Sequence, residues 1–344
     1  MPTAKATDLA GQRTPDAGTE PAPSPEPIVR VATGFMAAKQ LFASSELGLF
    51  AALADGPLPL PALAARAGVP PRPCRILADA MVGLGVLDRV DDAYRNGPAA
   101  AAYLAGASGG LDLRPYLAFW DGVSYPHWLH FADSMRTDTP QQLDISGERQ
   151  GLFFGGVQAY NSAHALMLAE HVDFSGCRRV LDLGGLSGAF LAAILAKDPA
   201  VRGTFLAPAQ MVEFARAGLA PAELTRIELL AADPLTDPLP AGPFDVVLLE
   251  HVIHRFDAAD NQRLLARARE LVEPGGRLMI LDFCLDESVP LRALDSLLAG
   301  EYLVIDGTVV YPEAEVRSWL AATGWQWERT VPLPGSPRVL VARA

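Results

Sequence analysis

The residue types best suited to chemistry gather in Glu250-His-Val-Ile-His-Arg-Phe-Asp257, directly after the apolar run Phe244–Leu249. A neutral imidazole, with a pKa near ~6.5, is matched to taking a proton from an acidic hydroxyl at neutral pH. His254 is the first candidate for that task. The plainer alternative is a histidine that caps or packs a helix. His251, three residues earlier, gives an HxxH spacing; the sequence places no third ligand, so no metal is expected. A second cluster is Val180-Leu-Asp-Leu-Gly-Gly-Leu-Ser-Gly188. Glycines at the end of a strand let a ligand approach the backbone, and the helix N-terminus that follows is electropositive. A glycine loop alone is a weak signal, and its surroundings strengthen it.

Those surroundings alternate strand and helix. From residue 173 onward, Arg179–Leu183, Thr204–Ala207, Ile227–Ala232, Phe244–Leu249 and Leu278–Phe283 read as strands, with helical stretches between them. Such alternation with short loops predicts a doubly wound parallel sheet with right-handed crossovers. Trp325–Val331 and Arg338–Ala342 are expected to close an antiparallel pair at one edge. Ligands in this class of fold bind at the carboxyl ends of the strands, where strand order reverses, and both chemical clusters fall at such ends.

The chain ahead of the sheet divides further. Residues 1–27, broken by six prolines, read as a disordered tail. Residues 28–110 read as a mainly helical winged-helix domain, with short helices at Pro61–Ala67 and from Pro71, then a small ribbon near Val86–Arg95. Val31, Phe35, Phe42, Leu49 and Leu53 recur at helical spacing, a stripe larger than so small a unit needs, which predicts a homodimer through this domain. Residues 111–172 read as a helical, aromatic connecting segment. Trp120, His127, Trp128, Phe154, Tyr160 and Asn161, with His251, are candidates for the wall of a pocket for a flat organic substrate; an ordinary aromatic core is the alternative.

Composition removes several functions. With 28 basic and 40 acidic side chains among 344 residues the net charge is −12, which repels a phosphate backbone and argues against nucleic acid as a partner despite the winged helix. Three scattered cysteines form no CxxC pair and fit a reducing cytoplasm. No apolar run suggests a membrane span, and no secretion signal is visible.

Taken together, the winged-helix domain, the glycine loop, His254-Arg-Phe-Asp257 and the turn Glu273-Pro-Gly-Gly276 resemble the two-domain S-adenosylmethionine-dependent small-molecule O-methyltransferases, which act on plant phenolics and bacterial polyketide intermediates. The resemblance runs from Val31 to the C-terminus. It implies a class I methyltransferase, Rossmann-like fold over 173–344, S-adenosylmethionine as cofactor and an aromatic or polyketide-like substrate of secondary metabolism. By the same resemblance His254 is the base and Asp282 its partner. Asp182, Gly184, Gly185 and Gly188 then bind the cofactor, and Asp233 bonds its adenine amino group.

Two departures bear on that cofactor. Leu186 stands where the family loop has a glycine, adding a side chain and resisting any positive φ there. Leu206, or a neighbour, stands where the family has the acid that holds the ribose hydroxyls. Both predict weakened adenosyl binding. They also leave open an enzyme of the same fold that catalyses a cyclisation, rearrangement, elimination or hydroxylation instead. A non-enzymatic DNA-binding role of the winged helix is the third possibility.

Overall fold

The computed structural model describes residues 23–106, 110–140, 142, 146–286 and 291–344. Most of the expected tail lies outside these residues; its end is already helical, since Glu26–Glu46 forms one helix.

The helix-turn-helix follows from its punctuation. Leu60–Ala67 ends at Gly68, whose φ of 66° is the left-handed cap a glycine adopts freely, and proline opens Pro71–Gly83, where no N–H is lost. Strands β1 (Leu58–Pro59), β2 (Leu87–Val90) and β3 (Ala93–Asn96) form a small antiparallel sheet in the order β1-β3-β2. The apolar stripe divides in two. Leu49 and Leu53 are buried in this domain's core, whereas Ile28, Val31, Phe35 and Met36 are exposed along the first helix.

The second sheet is built from β4 (Arg179–Leu183), β5 (Arg202–Ala207), β6 (Ile227–Ala231), β7 (Phe244–Glu250), β8 (Val272–Asp282), β9 (Gln326–Pro332) and β10 (Arg338–Arg343). Its order is β6-β5-β4-β7-β8-β10-β9, parallel through β8 and antiparallel at β10 and β9. Both faces are covered, so the central strands are apolar almost throughout and two cores lie on opposite sides. The chain winds outward from β4 in one direction and from β7 in the other. The switch point therefore falls between β4 and β7, whose carboxyl ends carry the glycine loop and Glu250-His251. One expectation is corrected: the segment read as a turn at Glu273-Pro-Gly-Gly276 lies inside β8, where pairing with β7 shifts register.

Between the two domains, Arg114–Phe119 runs through a π-helical turn at Trp120–Ser124 into Tyr125–Trp128, and Glu148–His171 forms a long helix beside them. These elements and the helix Ala293–Asp306 wall off the carboxyl ends of the sheet.

Candidate active site

A cavity of about 360 Å³ opens above the switch point. Its lining is mostly aromatic, with Tyr116, Trp120, Phe154, Tyr160 and Tyr302 on its walls and His251 and His254 at the sheet side. Asn161 also lines it and donates to Ser187 Oγ at 3.2 Å.

His254 sits in the one-turn helix Ile253–Arg255 that follows β7, and Asp282 ends the adjacent β8. Nδ1 of His254 lies 2.9 and 3.1 Å from the two Asp282 oxygens. Backbone N–H groups of Phe283 and His254 also point at that carboxylate, at 2.9 and 3.4 Å. Burial alone would raise the Asp282 pKa. The charge and hydrogen bond of His254, the nearby His251 and the Phe283 N–H outweigh it and hold the carboxyl below its ordinary value. An ionised Asp282 keeps the proton of His254 on Nδ1 and leaves Nε2 as the basic lone pair, the arrangement a general base requires.

His251 is buried and has φ 55°, a strained conformation for a non-glycine residue, costing about 1–3 kcal/mol. Its Nε2 is 3.0 Å from Nδ1 of His164 on the long helix. Burial, with a smaller opposing effect from Asp282, pushes its pKa down to about 3, and burial likewise holds His164 well below its ordinary value. Both rings are therefore neutral at physiological pH. The fold also supplies what the sequence does not place: Asp282 joins His251 and His254 in a group whose ligand atoms lie within 4.8 Å of one another. Both Asp282 oxygens already face His254 Nδ1, which favours a proton-handling pair.

Tyr302 packs on His254 with ring centroids 4.4 Å apart, and Tyr160 packs on His251 at 4.8 Å. Burial raises both phenols well above their ordinary value. Tyr302, Glu301 and His164 escape the sequence reading. A signal existed for the first two: Leu298, Glu301, Tyr302 and Ile305 line the cavity at helical spacing, a stripe interrupted by one acid.

Two expected wall residues do not line the cavity. His127 is buried with Nδ1 2.8 Å from the Val123 carbonyl, and Trp128 Nε1 donates to Glu301 Oε2 at 2.5 Å, behind the wall. Both belong to the support of the pocket.

The residues expected at the cofactor lie on and beside the loop that follows β4. Of the glycine loop, only Leu186 is in the cavity lining. Gly184 has φ 87° and donates to the Leu206 carbonyl at 2.7 Å. A Cβ at Gly185 would collide with the Asp182 carboxylate, and one at Gly188 with Leu219, so these two glycines are required by the protein's own packing. Leu186 does not adopt a positive φ, which corrects the expected backbone conflict there; its side chain is what reaches the cavity. Leu206 is 1 % exposed and packs in the core with Leu181 and Leu183. Asp233 is exposed, and its carboxylate caps the Leu235 N–H at 2.8 Å.

Beneath the loop lies a second buried acid group. Asp182 accepts from the Gly185 N–H at 3.1 Å and faces Glu250 at the end of β7. Burial, partly opposed by a hydrogen bond from Glu250, pushes Asp182 up to about 7, and burial together with the Asp182 charge pushes Glu250 well above its ordinary value. The guanidinium of Arg255, which also lines the cavity, donates to the Gly184 carbonyl and lies close enough to favour both carboxylates.

This fold and this placement of a His–Asp pair define a Rossmann-like methyltransferase-fold enzyme behind a winged-helix domain. Residues 142–326 match the O-methyltransferase domain model and residues 29–106 the O-methyltransferase dimerisation domain model, and the chain belongs to the O-methyltransferase family. It is 34% identical over 320 residues to 3-hydroxy-5-methyl-1-naphthoate 3-O-methyltransferase of Streptomyces sahachiroi, covering 89% of this chain and 91% of that one. Identity is 31% to the tetracenomycin polyketide synthesis 8-O-methyl transferase TcmO of Streptomyces glaucescens, over 93% of this chain and 96% of that one. Human N-acetylserotonin methyltransferase in complex with SAM superposes with a TM-score of 0.79 at 25% identity, over 95% of this chain and 99% of that one.

Proposed function

We propose that this protein is a tailoring enzyme of secondary metabolism that deprotonates an acidic hydroxyl of an aromatic, polyketide-like substrate held in the cavity. His254 is the base and Asp282 the residue that orients it. The single observation that carries the reading is the His254–Asp282 pair opening onto an aromatic cavity at the switch point of the sheet. The naphthoate and tetracenomycin enzymes among its relatives support the substrate class. Positioning the hydroxyl against the base supplies much of the rate in such chemistry.

In the family, S-adenosylmethionine supplies the methyl group. Four features of this chain weigh against the expected seat for it. No acid replaces Leu206, Leu186 takes up space at the loop, Asp233 is turned to its own backbone, and the Gly184 carbonyl is used by Arg255. Each carboxylate hydrogen bond absent from the ribose forgoes about 1.5–3 kcal/mol before offsets. Adenosyl binding is accordingly impaired, and the same observations favour a second reading in which the enzyme transforms its aromatic substrate without methyl transfer. Calorimetric titration with S-adenosylmethionine and S-adenosylhomocysteine separates the two. Dissociation constants near or above about 1 mM support impaired binding. Low-micromolar binding, or a methylated product from hydroxynaphthoates, returns the chain to ordinary methyl transfer.

The protein works as a homodimer through residues 29–106, as the matching dimerisation domain and the exposed row Ile28, Val31, Phe35 and Met36 support. A monomer mass by light scattering at micromolar concentration would exclude this. Three free, buried thiols support a cytoplasmic setting, and among the described residues no helix is long and apolar enough to cross a membrane.

A further inference from the structure

We propose that Glu301 is a second anchor for the substrate, binding a hydrogen-bond donor, an O–H or N–H, carried by the aromatic ring system in addition to the hydroxyl that faces His254. The inference rests on the reading of the cavity as an aromatic substrate site and adds a requirement to it.

Glu301 is only 4 % exposed, on the helix Ala293–Asp306, and lines the cavity. One carboxyl oxygen, Oε2, is held from behind by Ser124 Oγ at 2.8 Å and by Trp128 Nε1 at 2.5 Å. The other, Oε1, is buried and has no hydrogen-bond partner among the described residues. A buried acceptor left unpaired costs about 1–3 kcal/mol, more when charged, so this is an arrangement that a ligand completes. No cation in the wall competes for it. The one Lys or Arg among the lining residues is Arg255, which is directed to the Gly184 carbonyl and the Asp182–Glu250 pair. The two donors behind Oε2 fix the plane of the carboxyl, so Oε1 is an acceptor of set direction between aromatic faces. Burial, only partly offset by the Ser124 and Trp128 hydrogen bonds, raises the Glu301 pKa to about 7, so ionisation needs little help from an arriving donor.

The same two donors give a structural explanation, in which Glu301 merely fastens Trp128 and Ser124. Ligand selectivity distinguishes the two, because only anchoring depends on Oε1. Binding of β-naphthol and of its hydroxy, amino and methoxy ring derivatives is measured by calorimetry on the wild type, Glu301→Gln and Glu301→Leu. The hydroxy and amino derivatives separate O–H from N–H donors. The wild type should prefer a donor derivative over both β-naphthol and its methoxy derivative by about tenfold. Glutamine can keep its amide oxygen toward Ser124 and Trp128 while presenting its NH2 to the cavity, so Glu301→Gln should reverse the preference toward the methoxy derivative. Glu301→Leu should bind all of them alike. Glutamine is nearly isosteric, which keeps the test usable if the leucine variant does not fold. Equal affinities for all four probes in the wild type, or a preference unchanged in Glu301→Gln, would overturn the anchor and leave the aromatic site standing. Binding of none of the four probes would overturn the aromatic reading, and the anchor with it.

Discussion

Asp282 on β8 and Asp182 on β4 are both fully buried, and a single strand, β7, lies between theirs. Their acidities nevertheless move in opposite directions. Asp282 faces an imidazole and two backbone N–H groups and stays ionised; Asp182 faces a second carboxyl, Glu250, and holds on to a proton up to about 7. Burial raises both in the same sense; at Asp282 the imidazole and the N–H groups outweigh it, while at Asp182 the opposing contacts of Glu250, Gly185 and Arg255 do not. The first arrangement keeps a carboxylate charged beside an imidazole, and the second holds a proton beneath the glycine loop. The carboxyl ends of neighbouring strands thus carry an imidazole–carboxylate pair at the cavity and an acid–guanidinium cluster beneath the glycine loop.

The largest effect is expected from breaking the first pair. His254→Ala should leave the circular dichroism spectrum intact and lower kcat on the aromatic substrate by about a hundredfold or more. Unchanged turnover would move the chemistry to His251 or elsewhere.

Next in size is the cluster at the loop. Arg255→Asn frees the Gly184 carbonyl and removes the half-buried cation at the glycine loop. By calorimetry, affinity for S-adenosylmethionine should rise by about tenfold, near 1.4 kcal/mol, and affinity for the uncharged thioether S-adenosylhomocysteine should rise less. Equal gains would remove the electrostatic part of the explanation, and no gain would leave Leu186 and Leu206 as the whole obstacle.

The smallest effect sharpens the contrast in acidity. A carboxyl with a folded pKa raised to about 7 adds stability that is full below its unfolded pKa and is lost as the pH rises through the folded value. Asp182 and Glu250 should therefore make the wild type less stable at pH ~8 than at pH ~5. In Glu250→Gln, Asp182 ionises beside Arg255 without a like charge, so the loss is smaller, by about 1–2 kcal/mol or roughly 4 °C in Tm. Parallel Tm curves against pH would show that the pair does not share a proton. Asp282 has the opposite sign: its depressed pKa gives stability above the unfolded value that disappears as the pH falls through the folded one.

Much of this was legible in the sequence because it is local. The central strands are apolar runs bounded by loops, and the placement of Arg179–Leu183 and of His254 at a strand end follows from that alternating pattern, while Asp282 as its partner came from the family resemblance. Glu273-Pro-Gly-Gly276 misled, because the composition of a turn was absorbed as an irregularity within β8. Contacts between distant elements were not legible. His164 meets His251 across 87 residues and Glu301 meets Ser124 across 177, and no spacing rule joins such positions. His127 and Trp128 carried the aromatic signal of the pocket, yet the π-helical turn ahead of them directs Trp120 to the cavity while they lie behind it.

On the proposal that adenosyl binding is impaired, Leu206 makes any route to tighter binding dependent on the order of steps. It packs with Leu181, Leu183 and Val247 on one face of the sheet, at 1 % exposure. Leu206→Asp made alone would bury a carboxylate with no ligand to receive it, at a cost of several kcal/mol or a retained proton. Clearing Leu186 and Arg255 first would open the region to the ligand whose hydroxyls could partner the new acid. Laboratory evolution for cofactor use should therefore fix Leu206 last, and libraries that begin there should yield mostly unfolded protein.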